Sequence, residues 1–319
     1  MKFDKLYQEF KQARDNFSYK IAIAKLIDKL ARKVVRIKLL APIAKYLFEC
    51  KHWIITTFLE NNFKEFIQNY RLNRTPISRE QKYIFSFWMQ GLKQAPELVK
   101  TTIESQKKYA EKYGYQFVFL DRTNVSEYVE LPEEITYKIE KGIISPIHYS
   151  DFLRMALLSQ YNAIWFDSTI YISSKQKLTY LDDFYTVKVK EDQIMPRFIS
   201  RGRWAMYCLS GVAHNEVYRF LRDFQIEYFR CYDHPLDYVL IDYLMEVGYR
   251  NIPELQQIID NIPNVNSHIY FLAENLSHSF DQVVWQQISQ DTKIFKTTYK
   301  IPIQENSNSY FTKMQHQEL

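Results

Sequence analysis

The sequence predicts a mixed α/β fold with a mostly parallel central sheet, preceded by an N-terminal α-helical extension. Between residues 82 and 167 short apolar runs alternate with segments of helical spacing, as in parallel strands joined by crossover helices. The chain has 319 residues, of which 46% are hydrophobic and 25% charged, values typical of a globular protein. Its six glycines are all isolated, which excludes the clustered-glycine loops of dinucleotide-binding and P-loop proteins.

The positive charge is concentrated near the N-terminus. Between Ser18 and Lys51 nine Lys and Arg residues stand against two acidic ones, whereas the whole chain carries only +5. Apolar residues recur there at helical spacing, at Ile23, Ile27, Leu30, Val34 and Ile37. Pro42 is expected to end or kink this helix, and an aromatic-rich helix is expected from Ile43 to Leu59.

A basic amphipathic helix followed by an aromatic-rich one predicts that residues 18–58 contact an anionic membrane surface. The alternative is a helical hairpin that packs on the main domain with a solvated basic face. Nucleic acid is not expected, because the remainder of the chain is slightly acidic and has no RNA- or DNA-binding motif. Three scattered cysteines and the lack of a signal-peptide pattern favour a cytoplasmic protein, peripherally attached to the inner face of the plasma membrane.

The polar stretch at 71–81 is interpreted as a linker. The predicted organisation is an N-terminal basic helical region at 1–75, a main domain at 76–300 and a C-terminal tail at 301–319. In the main domain the expected strands are 82–88, 115–120, 163–166 and, late in the chain, 294–301. The expected helices are 95–113 with Gly114 as its C-cap, 131–140, 150–161 with Ser150 as its N-cap, 238–247 and 252–262.

Charged residues cluster around the third strand. Asp121 and Asp167 each follow a strand, and ligands of such sheets bind beyond the carboxyl ends of the strands. Asp151 and Arg154 are three residues apart on the preceding helix and therefore share one face. Two carboxylates and a guanidinium at one strand end would suit a charged ligand, the carboxylates for a divalent ion or a sugar hydroxyl and arginine for phosphate. The alternative is a structural ion pair, with Asp167 capping a turn.

Several separated motifs resemble, in order, the capsular polysaccharide synthesis family of bacterial glycosyltransferases. The resemblance covers residues 83–300, and the family is related to the retaining D-x-D mannosyl- and galactosyltransferases and to the glucosylating clostridial toxins. The motifs are Phe87-Trp-Met-Gln-Gly91, Ser145-Pro-x-His148-x-Ser-Asp-x-x-Arg154, Trp165-x-Asp-Ser-Thr169 and Lys296-x-Thr-Tyr-Lys300.

The resemblance implies a GT-A type nucleotide-sugar-binding domain and a transferase that retains anomeric configuration. The donor would be a nucleoside-diphosphate sugar, with UDP favoured. The acceptor would be a lipid-linked saccharide or an oligosaccharide of capsule, exopolysaccharide or O-antigen synthesis. The implied catalytic residues are Asp151, Arg154 and Asp167. The predicted donor-binding residues are Trp88, Gln90, Gly91, Asp121, His148, Asp151, Arg154, Lys296 and Lys300, and the predicted acceptor-binding residue is Asp242.

A divalent ion, Mn²⁺ or Mg²⁺, is also implied. Its predicted ligands are Asp167 and Thr169, completed by His278 and Asp281. The alternative is that His278 and Asp281 both lie in a solvated loop. Thr169 stands where relatives have a second aspartate, and a hydroxyl is a weaker ligand than a carboxylate. Asn162 and Ala163 replace two glycines of many relatives, so Asn162 is expected in the left-handed conformation. These departures motivate an alternative function, a non-catalytic nucleotide-sugar-binding or scaffolding subunit.

Overall fold

The computed structural model describes residues 2–73, 81–211, 215–304 and 307–319, so most of the expected linker lies outside the described residues. Seven strands are present in these described residues. They are β1 (Tyr83–Phe87), β2 (Gln116–Leu120), β3 (Ala163–Phe166), β4 (Ile170–Ile172), β5 (Phe184–Thr186), β6 (Cys208–Gly211) and β7 (Ile294–Lys296).

The described residues also form thirteen α-helices. They are α1 (Lys2–Asn16), α2 (Tyr19–Val34), α3 (Ala41–Asn62), α4 (Lys64–Asn69), α5 (Glu97–Tyr113), α6 (Glu133–Glu140), α7 (Pro146–Gln160), α8 (Asn215–Cys231), α9 (Leu240–Asn251), α10 (Pro253–Asp260), α11 (Phe271–Asn275), α12 (Gln282–Asp291) and α13 (Tyr310–Gln315). No helix in the described ranges combines the length and apolar character needed to cross a bilayer.

The central sheet has the strand order β2-β1-β3-β6-β5. β1 pairs in parallel with β2 and β3, and β6 runs antiparallel to both β3 and β5. Four of the five strands therefore point the same way, and the predicted mixed α/β fold with a mostly parallel sheet is confirmed. β4 and β7 form a separate antiparallel pair in which Ile170 lies opposite Lys296. This register brings Lys296 next to the turn that follows β3.

α7 begins one turn earlier than predicted. Ser145, not Ser150, is its N-cap, and Pro146 occupies the first turn, where its fixed φ favours a helix start. Asp151 and Arg154 therefore lie in the body of the helix, and the Ser150 hydroxyl accepts a hydrogen bond from Arg154 at 3.1 Å. The expected left-handed Asn162 is also wrong: among the described non-glycine residues only Arg201, Asn266 and Gln317 have positive φ.

The N-terminal helices pack on the main domain through α2 and α3, which form a hairpin. Ile21, Ala24, Ile55 and Leu59 of this hairpin are buried in the same core as the central sheet. Pro42 lies in the first turn of α3 and does not end α2, which already stops at Val34.

The apolar stripe predicted for α2 does not form the packing face. Ile23, Leu30 and Ile37 are exposed, whereas the smaller Ala24 and Ala31 face the protein. Small side chains allow the helix backbone to approach its neighbours closely, and Ile23, Leu30 and Ile37 of the predicted stripe remain on the outside.

A buried lysine anchors the hairpin. The Lys51 ammonium contacts Asp28 of α2 at 3.0 Å and Asp237, in the loop before α9, at 2.7 Å. A buried charge is stable only when it is paired, so this triad favours one orientation of the hairpin. At the other end of the chain, Tyr310 and Met314 of α13 are buried in a second cluster with Leu98 of α5.

Candidate active site

The carboxyl end of β3 carries a network of four charged side chains. Asp167 Oδ1 accepts hydrogen bonds from the Trp165 indole at 3.0 Å and from Arg154 Nη2 at 3.3 Å. Its Oδ2 accepts one from Lys296 Nζ at 2.9 Å, and the same ammonium donates to Thr169 Oγ1 at 2.7 Å. The antiparallel register of β4 and β7 is what places Lys296 here.

Arg154 links the helix to the strand. Its Nη1 donates to Asp151 Oδ1 at 2.9 Å, and its guanidinium lies 5.3 Å from the centroid of the Trp165 ring. Its Nε is buried and has no hydrogen-bond partner among the described residues. Asp151, Asp167, Arg154 and Lys296 therefore form a balanced cluster in which both cations could also bind an anionic ligand.

The two carboxyl groups differ in their electrostatics. Burial raises the pKa of Asp151 to about 6, although the Arg154 charge opposes this shift. Burial also disfavours the charged form of Asp167, but Lys296 and Arg154 outweigh it and hold its pKa below the ordinary value. Asp167 is therefore ionised at neutral pH and keeps both cations in place.

A cavity of about 400 Å³ opens beside this cluster. Arg154, Asp167 and Lys296 line it. Its other walls are mainly aromatic and apolar, and they include Ile194, Met195, Phe198, Trp204, Tyr207, Tyr238 and Tyr270. Apolar and aromatic walls with a few convergent polar groups are typical of small-ligand sites.

Asp242, on the first turn of α9, lines the same cavity. Its Oδ1 accepts a hydrogen bond from the Trp204 indole at 2.9 Å. Burial raises its pKa to about 7, and the nearby negative charge of Asp151 adds to the shift. The carboxyl group can therefore both accept and release a proton near neutral pH.

A second group of predicted residues lies at the ends of β1 and β2, outside the lining of this cavity. A Cβ on Gly91, which has a φ of 80°, would lie 3.2 Å from Asp121 Oδ2. Trp88 packs edge-to-face on Tyr299 at 5.3 Å, and its buried indole N–H has no partner among the described residues. Gln90 is exposed beside them.

Two further predicted donor-binding residues, His148 and Lys300, are not among those that line the cavity. His148 is buried, with Nδ1 2.8 Å from Ser145 Oγ and Nε2 3.4 Å from the Asp237 carbonyl, and burial lowers its pKa. These contacts indicate that His148 has a structural role. Lys300 is exposed, and its side chain forms no ion pair with a described residue.

The residues at Asp167 do not fit a divalent cation. Thr169 contributes only a hydroxyl, and the Lys296 ammonium already bridges the two oxygens that a metal would have to share. His278 contacts Asn275 at 2.9 Å, and Asp281 caps α12. Within the described ranges, no three His, Cys, Asp or Glu side chains gather closely enough to hold a metal ion.

Sequence reasoning missed most of the cavity wall. Residues 187–207, between β5 and β6, fold without a long helix or strand and therefore lack a periodic pattern. Arg201 and Gly202 are consecutive left-handed residues, and a side chain at Gly202 would collide with the Val189 carbonyl at 2.9 Å. The isolated Gly202, two residues before Trp204, could have indicated a tight turn here.

Comparison with known proteins identifies the family. Capsular polysaccharide synthesis proteins match residues 36–314. No curated protein matches the chain. A crystal structure of a glycosyltransferase involved in the glycosylation of the major capsid of PBCV-1 is similar at 14% identity, with 75% of this chain and 100% of that chain covered and a TM-score of 0.32. The family match spans most of the chain, which therefore belongs to the capsular polysaccharide synthesis protein family.

Proposed function

We propose that this protein is a glycosyltransferase that moves a sugar from a nucleoside-diphosphate sugar to a saccharide acceptor in capsular polysaccharide synthesis. The observation that carries the proposal is the pair of cations, Arg154 and Lys296, held by Asp167 at a strand end beside an aromatic cavity. A leaving diphosphate needs positive charge, and a sugar ring needs apolar walls with a few hydrogen-bond acceptors. The family membership agrees with this chemistry.

The sheet geometry suggests how a donor lies. Adjacent strands are about 4.8 Å apart, so the ends of β1 and β2 lie roughly 5 and 10 Å from that of β3. The nucleoside would contact the group formed by Trp88, Gly91 and Asp121. The diphosphate would then reach Arg154 and Lys296, and the sugar would enter the cavity.

In the proposed reaction an acceptor hydroxyl attacks the anomeric carbon while the bond from that carbon to the diphosphate oxygen breaks. The diphosphate leaves with both bonding electrons, and Lys296 and Arg154 stabilise the charge that develops on it. In line with the family resemblance, we propose that configuration is retained and that the acceptor proton passes to the departing phosphate oxygen. Asp242 would accept a hydrogen bond from the acceptor and fix its orientation.

The same residues lead us to propose that the reaction needs no divalent ion, contrary to the sequence expectation. We expect transfer rates with EDTA and with added Mn²⁺ to agree within about twofold, because Lys296 supplies the charge that a Lewis acid otherwise provides. The measurement is nucleoside diphosphate release from the full chain after chelation. Stimulation by Mn²⁺ of about tenfold or more would contradict the assignment.

A screen of UDP- and GDP-sugars tests the function itself. We expect one donor to bind and to release its nucleoside diphosphate slowly in water and faster with acceptor. The alternative, a non-catalytic nucleotide-sugar-binding or scaffolding subunit, predicts binding without release. Absence of both binding and release for every donor would reject the two functions together.

A further inference from the structure

We propose that the tip of the α2–α3 hairpin, residues 33–46, docks onto an anionic lipid surface. This inference is independent of the proposed transferase activity. Five large apolar side chains of the hairpin tip are between 40% and 87% exposed, namely Val35, Ile37, Leu39, Ile43 and Tyr46.

The exposed apolar surface continues along both helices. On α2, Ile23 and Leu30 are seven residues apart, lie on one face and are both exposed, whereas Ile21 and Ala24 on other sides of the helix are buried. On α3, Tyr46 and Trp53 have the same spacing and are both exposed. α2 and α3 bury other residues against the protein, so these side chains remain between 46% and 69% exposed in the single chain. Extended apolar surface of this kind usually marks an interaction site.

The positive charge around the hairpin tip favours an anionic partner. Lys33, Arg36, Lys38 and Lys45 are exposed, none forms an ion pair with a described residue, and no acidic residue occurs between Asp28 and Glu49. By contrast, the more internal Lys29 and Arg32 are paired with Glu9 and Asp28.

Exposed apolar residues interspersed with unpaired basic ones are complementary to acidic headgroups above hydrocarbon. A second copy of the chain fits less well, because a symmetric contact would place one basic tip against another.

The hairpin is firmly connected to the candidate site. Lys51 of α3 contacts Asp237, and the helix that begins after this loop carries Asp242 into the cavity. Docking of the hairpin tip would therefore hold the cavity at a fixed position relative to the lipid surface. Such a position would suit an acceptor that is itself attached to lipid.

Vesicle binding by the full chain tests the proposal. The probes are vesicles of phosphatidylcholine alone and of phosphatidylcholine mixed equally with phosphatidylglycerol. We expect co-sedimentation with the anionic vesicles, weakened by salt, and little with the neutral ones. A blue shift of Trp53 fluorescence, absent from Trp53→Phe, should accompany binding because this indole is 62% exposed in the free protein.

Two variants separate the charge from the apolar contribution. Arg36→Gln/Lys38→Gln should weaken binding about 25-fold, since each basic residue near the surface contributes about fivefold. Ile37→Ser/Leu39→Ser should weaken it at least about tenfold through lost apolar insertion. All four side chains are exposed, so both variants should melt like the wild type. Val283→Ser, at an equally exposed apolar residue on α12, is the control and should bind normally.

Three results would overturn the proposal. The first is failure of the wild type to bind anionic vesicles, and the second is equal binding by the hairpin-tip variants. The third is concentration-dependent self-association in the absence of lipid that Ile37→Ser/Leu39→Ser abolishes, which would make the hairpin tip a contact between copies. Loss of transferase activity has no bearing on any of these readouts.

Discussion

Lys296→Met should lower transfer by about 10²- to 10³-fold while leaving the protein folded. Methionine keeps most of the side-chain volume against Tyr207 but removes the ammonium that lies 2.9 Å from Asp167 and 2.7 Å from Thr169. The charge that builds up on the leaving diphosphate would then be opposed by Arg154 alone. The measurement is nucleoside diphosphate release with and without acceptor, together with the melting temperature.

Two readouts distinguish this role from a structural one. Without the Lys296 charge the Asp167 carboxylate is less stable, so its pKa should rise and the acid limb of the pH–rate profile should move to higher pH. Lys293→Met is the matched control, because Lys293 lies just before the same strand and its ammonium binds the Ser289 carbonyl instead of a site residue. Equal losses in the two variants would contradict the assignment of Lys296.

Asp242→Asn should weaken use of the acceptor by about 10- to 100-fold in kcat/KM, with donor hydrolysis in water almost unchanged. The Asn oxygen can keep the Trp204 hydrogen bond, but its amide then presents donors where the carboxylate offered an acceptor. A loss that affects hydrolysis and transfer alike would show that Asp242 does not act on the acceptor.

The same substitution should stabilise the protein at alkaline pH. The folded-state pKa of Asp242 is about 7, above its ordinary value, so the folded state binds the proton more tightly than the unfolded chain. The contribution of Asp242 to wild-type stability is therefore largest below about pH 4 and falls as the pH rises to about 7, because over this range the carboxyl group is ionised in the unfolded chain but protonated in the folded one.

Asp242→Asn removes this pH dependence, and we expect its gain in the free energy of unfolding to be larger at pH 8 than at pH 5 by roughly 2 to 3 kcal/mol. Thermal melting at both pH values measures it. Asp223→Asn is the control, because this carboxylate is partly exposed and accepts hydrogen bonds from Tyr70 and Arg222. If Asp242→Asn destabilised the protein at pH 8, the carboxyl group would have to be stabilised there as an anion.

The secondary-structure elements that could be predicted from the sequence are those whose local apolar pattern matches the residues they bury in the core. β1, β2, β3 and α5 were predicted almost to their ends, because short apolar runs and an isolated glycine after a periodic segment leave few alternatives. Asp151, Arg154 and Asp167 were correctly expected to meet, since a helix that directly precedes a parallel strand packs beside it. The resemblance drew attention to Lys296 but could not place it.

The rest was decided by contacts between segments far apart in sequence. Lys296 and Asp167 are 129 residues apart in the chain and meet only through the register of β4 and β7. The Lys296 ammonium thereby contacts Asp167 and Thr169, two of the predicted metal ligands. The irregular segment before β6 builds the aromatic wall, and irregular backbone leaves no periodic signal. The sequence also predicted an apolar stripe on α2, but periodicity does not say what that stripe faces. Tertiary packing turned Ala24 and Ala31 inward and left Ile23, Leu30 and Ile37 of the stripe exposed, because the closest helix approach favours the smallest side chains.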